Sequence, residues 1–101
     1  ARFFAMSTHA HHLATRTEVK DGAAMVFAST DWEHPGSATW NTDPFFSFAS
    51  GKINYRCDYN NTTGNVVRTG NSAKTDEMCM AVGYFFPATA PKFCINSFVV
   101  P

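Results

Sequence analysis

The chain has 101 residues, a formal net charge of zero, 45% hydrophobic residues and 15% aromatic residues. This length and composition suit one packed domain over residues 1–101, and the balanced charge argues against nucleic acid as a partner. No apolar run approaches the roughly 20 residues that span a bilayer, so the sequence predicts no membrane span.

Strand-favouring residues dominate the chain: Thr, Val, Phe, Tyr and Ser are common, and leucine occurs once. Together with frequent turn signals, this composition predicts an all-β fold of the sandwich or barrel kind. The Asp21-Gly22 pair is typical of a hairpin turn. The predicted strands, in chain order, are 2–9, 12–20, 23–29, 44–49, 52–59, 65–69, 77–86 and 93–100, and the longer predicted loops are 30–43 and 60–64.

The first predicted strand ends in a pair of histidines. His9 and His11 are two residues apart, so on a strand their side chains point to the same face, with Ala10 and His12 turned away. Such a pair is a natural two-nitrogen clamp for a transition metal. A surface pair of histidines without any ligand is the other interpretation of this pattern.

The three cysteines, Cys57, Cys79 and Cys94, leave two states open. Either all three are reduced core residues, or one pair forms a disulfide and the third has its partner outside the chain. The sequence contains no CxxC motif, which argues against a zinc ribbon and against thioredoxin chemistry.

Met78 precedes Cys79 near the start of the predicted strand 77–86, so the two side chains face opposite sides. If Cys79 is tied to Cys57, Met78 is held at a fixed position on the other face. Two imidazoles plus a thioether favour copper, particularly Cu(I), over zinc, magnesium or calcium. Ordinary core packing is the competing interpretation of Met78.

Three segments of the chain, considered together, resemble one known family. They are residues 7–13 (STHAHHL), 75–79 (TDEMC) and 84–87 (YFFP). Their order, types and separations are similar to those in the C-terminal domain of copper type II, ascorbate-dependent monooxygenases. That family includes the peptidylglycine- and dopamine-hydroxylating enzymes and bacterial members. The resemblance covers roughly residues 3–94 and implies an antiparallel β-sandwich of jelly-roll type.

The resemblance also implies a role for each motif residue. His9 and His11 match the two histidine ligands of the copper at which oxygen reacts, and Met78 matches its methionine ligand. Cys57 and Cys79 match a disulfide pair. Cys94 matches a cysteine whose family partner precedes the HxH strand, so we expect it to be unpaired or paired outside this chain. The first strands of the domain are then missing from these residues.

Two departures from the family pattern bear on the substrate. Where the peptide-hydroxylating members bind the substrate carboxylate with an Arg and a Tyr, this chain has Ser7 and Val82. A glycine-extended peptide is therefore not the expected substrate, because it lacks its charged partner. The family's second copper site, three histidines on an N-terminal domain, has no counterpart, since only His12 and His34 remain.

The resemblance implies that the full protein hydroxylates a C–H bond with O2, copper and ascorbate. The isolated chain is expected to be inactive, because the missing N-terminal copper domain, or another chain, supplies electrons. The alternative is a non-catalytic copper-binding or structural β-sandwich subunit of an extracellular assembly. The expected location is secreted or extracellular, the periplasm included.

Overall fold

Two three-stranded antiparallel sheets form the body of the molecule. The computed structural model describes residues 1–87, 90–95 and 98–100, with the backbone alone in the last two strands. In the first sheet the strand order is β4-β1-β6, with β1 (Arg2–Ala10), β4 (Ala38–Thr39) and β6 (Cys79–Phe86). In the second sheet the order is β3-β2-β5, with β2 (Ala14–Asp21), β3 (Ala24–Ser29) and β5 (Asn54–Tyr59).

The two sheets pack face to face, as the predicted all-β sandwich requires, and that prediction is confirmed. The buried hydroxyls of Thr8 on β1 and Thr17 on β2 lie 2.6 Å apart and share a hydrogen bond between the layers. At one side of the sandwich, a disulfide joins Cys57 of β5 to Cys79 of β6, with their Cα atoms 5.8 Å apart. The layers are therefore linked both by polar contact and covalently.

Phe3, Met6 and Val19 form the centre of the core. Around them pack partly buried residues from both sheets and from the 40–48 segment, namely Val26, Phe27, Trp40, Phe46, Phe48, Ala81 and Phe85. Trp40 stacks on Phe46 with ring centroids 4.7 Å apart. Trp40 therefore contributes to the packing around the core.

The outer face of the second sheet is charged. Arg16 and Glu18 form an ion pair at 3.4 Å, and Arg56 and Asp58 form another at 2.8 Å. Lys20 lies 3.9 Å from Glu18. Side chains alternate between the two faces of a strand, and Thr17 and Val19 of β2 point inward. The neighbouring side chains, such as Glu18, therefore point outward.

The outer face of the first sheet has a different character. Ala5 is paired with Tyr84, Ser7 with Val82 and His9 with Met80 across β1 and β6. Residues directly opposite each other on an antiparallel pair share a face. Because the intervening pairs, such as Ala10 with Cys79, point into the sandwich, these three pairs lie on the outside.

Two predicted strands are wrong. Phe45 has a backbone φ of 62°, and this left-handed conformation interrupts the extended chain, so segment 44–49 makes only an isolated bridge at Phe46. Segment 65–69 lacks an apolar face to bury, with Val66 85% exposed, and it pairs only through Thr69. The short strand β4 lies instead within the predicted loop 30–43.

The predicted strand 93–100 contains two strands, β7 (Phe93–Ile95) and β8 (Phe98–Val100), which pair antiparallel with each other. The prediction for Cys94 concerns a side chain outside those that the structure describes. Within the described ranges, no helix is long and apolar enough to cross a membrane.

Candidate metal centre

The two histidines of the HxH pair lie together at the end of β1. Their ring centroids are 5.4 Å apart and their planes are nearly perpendicular, at 86°. Two imidazole nitrogens that each lie about 2 Å from one metal ion place the ring centroids roughly 5 Å apart. His9 is exposed and His11 is 3% exposed. The pair thus combines a fixed, buried ring with an accessible one.

A hydrogen bond to the backbone determines which nitrogen of His11 is free. Its Nδ1 atom lies 2.8 Å from the carbonyl oxygen of Asp76. Because a carbonyl only accepts hydrogen bonds, Nδ1 carries the proton in the neutral ring and Nε2 keeps its lone pair. This is the arrangement that metal-binding histidines adopt, with the second ring nitrogen donating to an outer partner.

The segment that supplies this carbonyl is itself held in place. The amide of Asp76 donates to the carbonyl of Ser72 at 2.9 Å, and the amide of Ser72 donates back to the Asp76 carboxylate at 3.2 Å. The amide of Glu77 donates to the carbonyl of Arg68 at 2.8 Å. These bonds fix the direction of the Asp76 carbonyl toward the His11 ring.

Glu77 is a buried carboxylate that joins the two ends of the candidate site. Its Oε1 atom accepts the amides of His11, at 3.0 Å, and Met78, at 3.4 Å, while Oε2 accepts the amide of Leu13 at 2.9 Å. Its side chain is 9% exposed, so the carboxylate is buried rather than solvated. The sequence contains no signal for this role of Glu77, because the partners of its carboxylate are backbone amides, which every sequence has.

Met78 follows Glu77 and precedes the disulfide. Since Cys79 is bonded to Cys57 of the other sheet, its side chain lies between the layers. Alternation then directs Met80 to the outer face, and we expect the same of Met78. The hydroxyl of Tyr59 donates to the carbonyl of Met78 at 2.6 Å, which fixes the backbone at this point.

The other two histidines lie apart from this pair. His12 occupies the turn after β1, where its Nδ1 lies 2.8 Å from the carbonyl of Ala73 and its ring meets the edge of Trp32. His34 is exposed in the loop before β4, near Glu33. Trp32 thus borders the turn that follows the HxH pair.

An open depression of about 500 Å³ borders Met78 on the side of the disulfide. It is lined by apolar and polar side chains in similar numbers: Leu13, Tyr59, Asn61, Val67, Arg68, Thr69, Glu77, Met78 and Cys79. Met78 itself is half-buried.

The donor set limits which metal fits. Among the described residues, no group of three or more His, Cys, Asp and Glu side chains is placed to hold a metal ion. A third side-chain ligand for a site at His9 and His11 would then be of another type, such as the thioether expected from the sequence. Imidazole with thioether is a set suited to copper, and poorly suited to calcium or magnesium.

Comparison with protein families gives a match over nearly the whole chain. The sequence model described as "Copper type II ascorbate-dependent monooxygenase, C-terminal domain" matches residues 1–100. Comparisons with curated proteins and with solved structures found no match.

Proposed function

The chain belongs to the copper type II, ascorbate-dependent monooxygenases as a C-terminal domain of that family, and from this membership we propose that it binds one copper ion through His9, His11 and Met78. The copper would serve hydroxylation of a C–H bond by the full protein. Copper bound there supplies one-electron redox chemistry with O2, for which ascorbate is the electron source in this family.

One observation carries the proposal: the adjacent rings of His9 and His11, 5.4 Å apart. The Asp76 carbonyl orients His11 through Nδ1, so Nε2 is the nitrogen offered to the metal. The exposed His9 ring gives access from solvent. Met78 supports the assignment through its place between Glu77, which accepts the His11 amide, and the disulfide at Cys79.

The surface beside the histidines supports a substrate without a carboxylate. Ser7 and Val82 are directly opposite each other, one pair further along the sheet than His9 and Met80. The Ser7 hydroxyl donates to the carbonyl of Gly36 at 2.5 Å. Neither position offers a cation, so an anionic group bound here would lose its solvation without a charged partner.

Electron supply and location complete the proposal. We propose that the second copper, which this family carries on an N-terminal domain, is provided by sequence outside these residues or by another chain. The Cys57–Cys79 disulfide supports an oxidising location, secreted or extracellular, since such bonds rarely persist in the cytosol.

Copper titration of the chain tests the assignment. We expect one equivalent of Cu(I), measured anaerobically against a chromophoric chelator, and a large loss of affinity in His9→Ala and His11→Ala. His34→Ala is the matched control, because that exposed histidine lies in the loop before β4. Equal affinity in all three variants contradicts the assignment.

Oxygen consumption by the full-length protein separates an enzyme from a non-catalytic copper-binding module. We expect uptake that requires ascorbate and that is lost in the His11→Ala variant. Copper binding without ascorbate-dependent uptake would favour the non-catalytic module.

A further inference from the structure

We propose that Met80 contributes a second thioether to the copper site, beside His9. This inference rests on the proposed function, since it concerns the ligands of the same copper ion. Met80 was missed at the level of the sequence, although its spacing of two residues from Met78 is the signal that both point the same way on a strand.

The strand register carries the inference. Met80 on β6 is the direct partner of His9 on β1. Side chains in that relationship have Cβ atoms about 5 Å apart and point to the same face. Methionine is unbranched and has three rotatable side-chain bonds, so its sulfur reaches across such a distance without a backbone shift.

The disulfide determines the face on which Met80 lies. Cys79 points between the sheets toward Cys57, so the next residue points outward. The buried partner Ala10, opposite Cys79, independently identifies the inner face. His9 and Met80 are therefore on the outer surface of the first sheet, where His9 is exposed and Met80 is half-buried.

Core packing, the usual role of methionine, does not account for this position. The core methionine of this sheet is Met6, which is 1% exposed and points inward opposite Gly83. Met80 lies on the opposite face, where its direct cross-strand partner is an imidazole. A thioether held there beside two histidines is a soft donor available to the metal.

Two thioethers and two imidazoles make a softer donor set than the three-ligand site. Soft sulfur ligands select Cu(I), whereas nitrogen and oxygen ligands suit Cu(II). Met80 thus shifts the preference of the site further toward the reduced ion. Two sulfur ligands would favour retention of Cu(I) at the site, and replacement of either methionine would leave one sulfur ligand.

The experiment compares Met80→Ile with Met78→Ile and with Met25→Ile, a control on β3 of the other sheet, where Met25 is 48% exposed. Isoleucine suits strands, so each variant is expected to fold, which circular dichroism checks. Cu(I) affinity is measured by chelator competition, and the number of sulfur neighbours by X-ray absorption at the copper edge.

The expected result is two sulfur neighbours in the natural chain and one in each of the Met80→Ile and Met78→Ile variants. Loss of Met80 should weaken Cu(I) binding at least about tenfold, since loss of even an outer partner of a ligand costs that much at other metal sites, with Met25→Ile unchanged. One sulfur in the natural chain, retained in Met80→Ile with unchanged affinity, overturns the inference alone. Copper that binds equally to His9→Ala and His11→Ala overturns the proposed function instead.

Discussion

The carboxylate of Glu77 accepts the backbone amide of His11 at 3.0 Å, across 66 residues of sequence. The same carboxylate accepts the amide of Leu13 at 2.9 Å through its other oxygen. Glu77, which directly precedes Met78, therefore ties that position to His11 and to the turn after β1. Two of the proposed ligands are positioned by one buried side chain.

Replacement of Glu77 by Gln is expected to destabilise the fold and to weaken copper binding. The amide group of Gln presents a donor where the carboxylate had an acceptor, so one of two buried amides, His11 or Leu13, loses its partner. An unpaired buried group costs about 1–3 kcal/mol. Urea unfolding measures this loss, and chelator competition measures the change in Cu(I) affinity.

The matched control for this carboxylate is Glu33→Gln, since the Glu33 side chain is 65% exposed. A surface change of this kind is expected to alter stability by no more than about 0.5 kcal/mol. Equal unfolding midpoints for the two variants would show that the buried hydrogen bonds of Glu77 do not hold the site.

Met78→Ile should weaken Cu(I) binding more than Cu(II) binding. The thioether is a soft donor that stabilises the reduced ion, while the imidazoles of His9 and His11 bind both oxidation states. Separate titrations with Cu(I) under nitrogen and with Cu(II) in air give the two affinities. Equal loss of both would contradict the thioether role and point to a structural effect of the substitution.

Alternation predicted most of the strands because most bury one face. The hairpin from β2 to β3 follows from the turn at Asp21-Gly22, and β6 from its long apolar run. Segment 44–49 is apolar too, but it does not form a strand, because Phe45 adopts a left-handed backbone conformation. Nothing in the type of this residue predicts that conformation. Apolar content indicated burial there without indicating extended structure.

Part of the candidate site could likewise be predicted from the sequence, and part could not. The HxH spacing predicts that His9 and His11 share a face of a strand. Their rings are adjacent, although His11 lies just beyond the end of β1. The supports of His11 could not be predicted, because they are the Asp76 carbonyl and the Glu77 carboxylate acting on a backbone amide. Contacts that involve backbone atoms across 65 and 66 residues leave no pattern in side-chain chemistry.

Removal of the Cys57–Cys79 disulfide should destabilise the chain by about 3 kcal/mol, the chain-entropy value for a loop of this length. The bond spans 22 residues and joins the two sheets. The measurement is the unfolding free energy of Cys57→Ser/Cys79→Ser against the natural chain. A reductant can break this disulfide only in the natural chain, so it should remove the difference in unfolding free energy between the two chains. A difference that persists in reductant would show that the serine substitutions themselves cause it.

Acid should remove a stabilising contact at Asp21. Its carboxylate accepts the amides of Ala49 and Ser50, both at 2.9 Å, and so ties the β2–β3 turn to the loop before β5. Interaction with the Ser50 side chain, then with the Ser50 and Ala49 amides, holds the pKa of Asp21 below its ordinary value of 3.8. Because the pKa is lower in the folded state, ionised Asp21 stabilises the fold at pH values above 3.8. This stabilisation is lost as the pH falls from 3.8 through the folded-state pKa.

Asp21→Asn should therefore be less stable than the natural chain at pH 7, with a gap that closes as the pH falls below 3.8. In acid, the protonated Asp21 and the neutral Asn resemble each other, so the low-pH measurement is an internal control. Urea unfolding at several pH values gives the gap. A gap that stays constant down to pH 2 would show that ionisation of Asp21 contributes nothing.

Gly83 of β6 allows Phe3 and Met6 to pack closely against the backbone of the strand. A Cβ atom added there would lie 2.8 Å from Phe3 Cε2 and 2.9 Å from Met6 Cε. Strand propensity alone predicts that Gly83→Ala stabilises, by about 0.5–1 kcal/mol, because glycine loses more backbone entropy. Overpacking predicts the opposite sign, a loss of about 1–3 kcal/mol. Since both contacts lie well inside van der Waals distance, we expect overpacking to dominate.

The double variant Gly83→Ala/Phe3→Leu identifies the cause of that loss. Leucine lacks the ring atoms nearest the new methyl group, so the double variant should lose less stability than the sum of the single changes. Chemical denaturation of the four chains gives this coupling. If Gly83→Ala is more stable than the natural chain, or if the losses of stability are strictly additive, the packing around Phe3 adjusts to the added methyl group. In that case the inner face of β6 would be less rigid than its packing against β1 implies, and the outer face that carries Met80 would lose its fixed support.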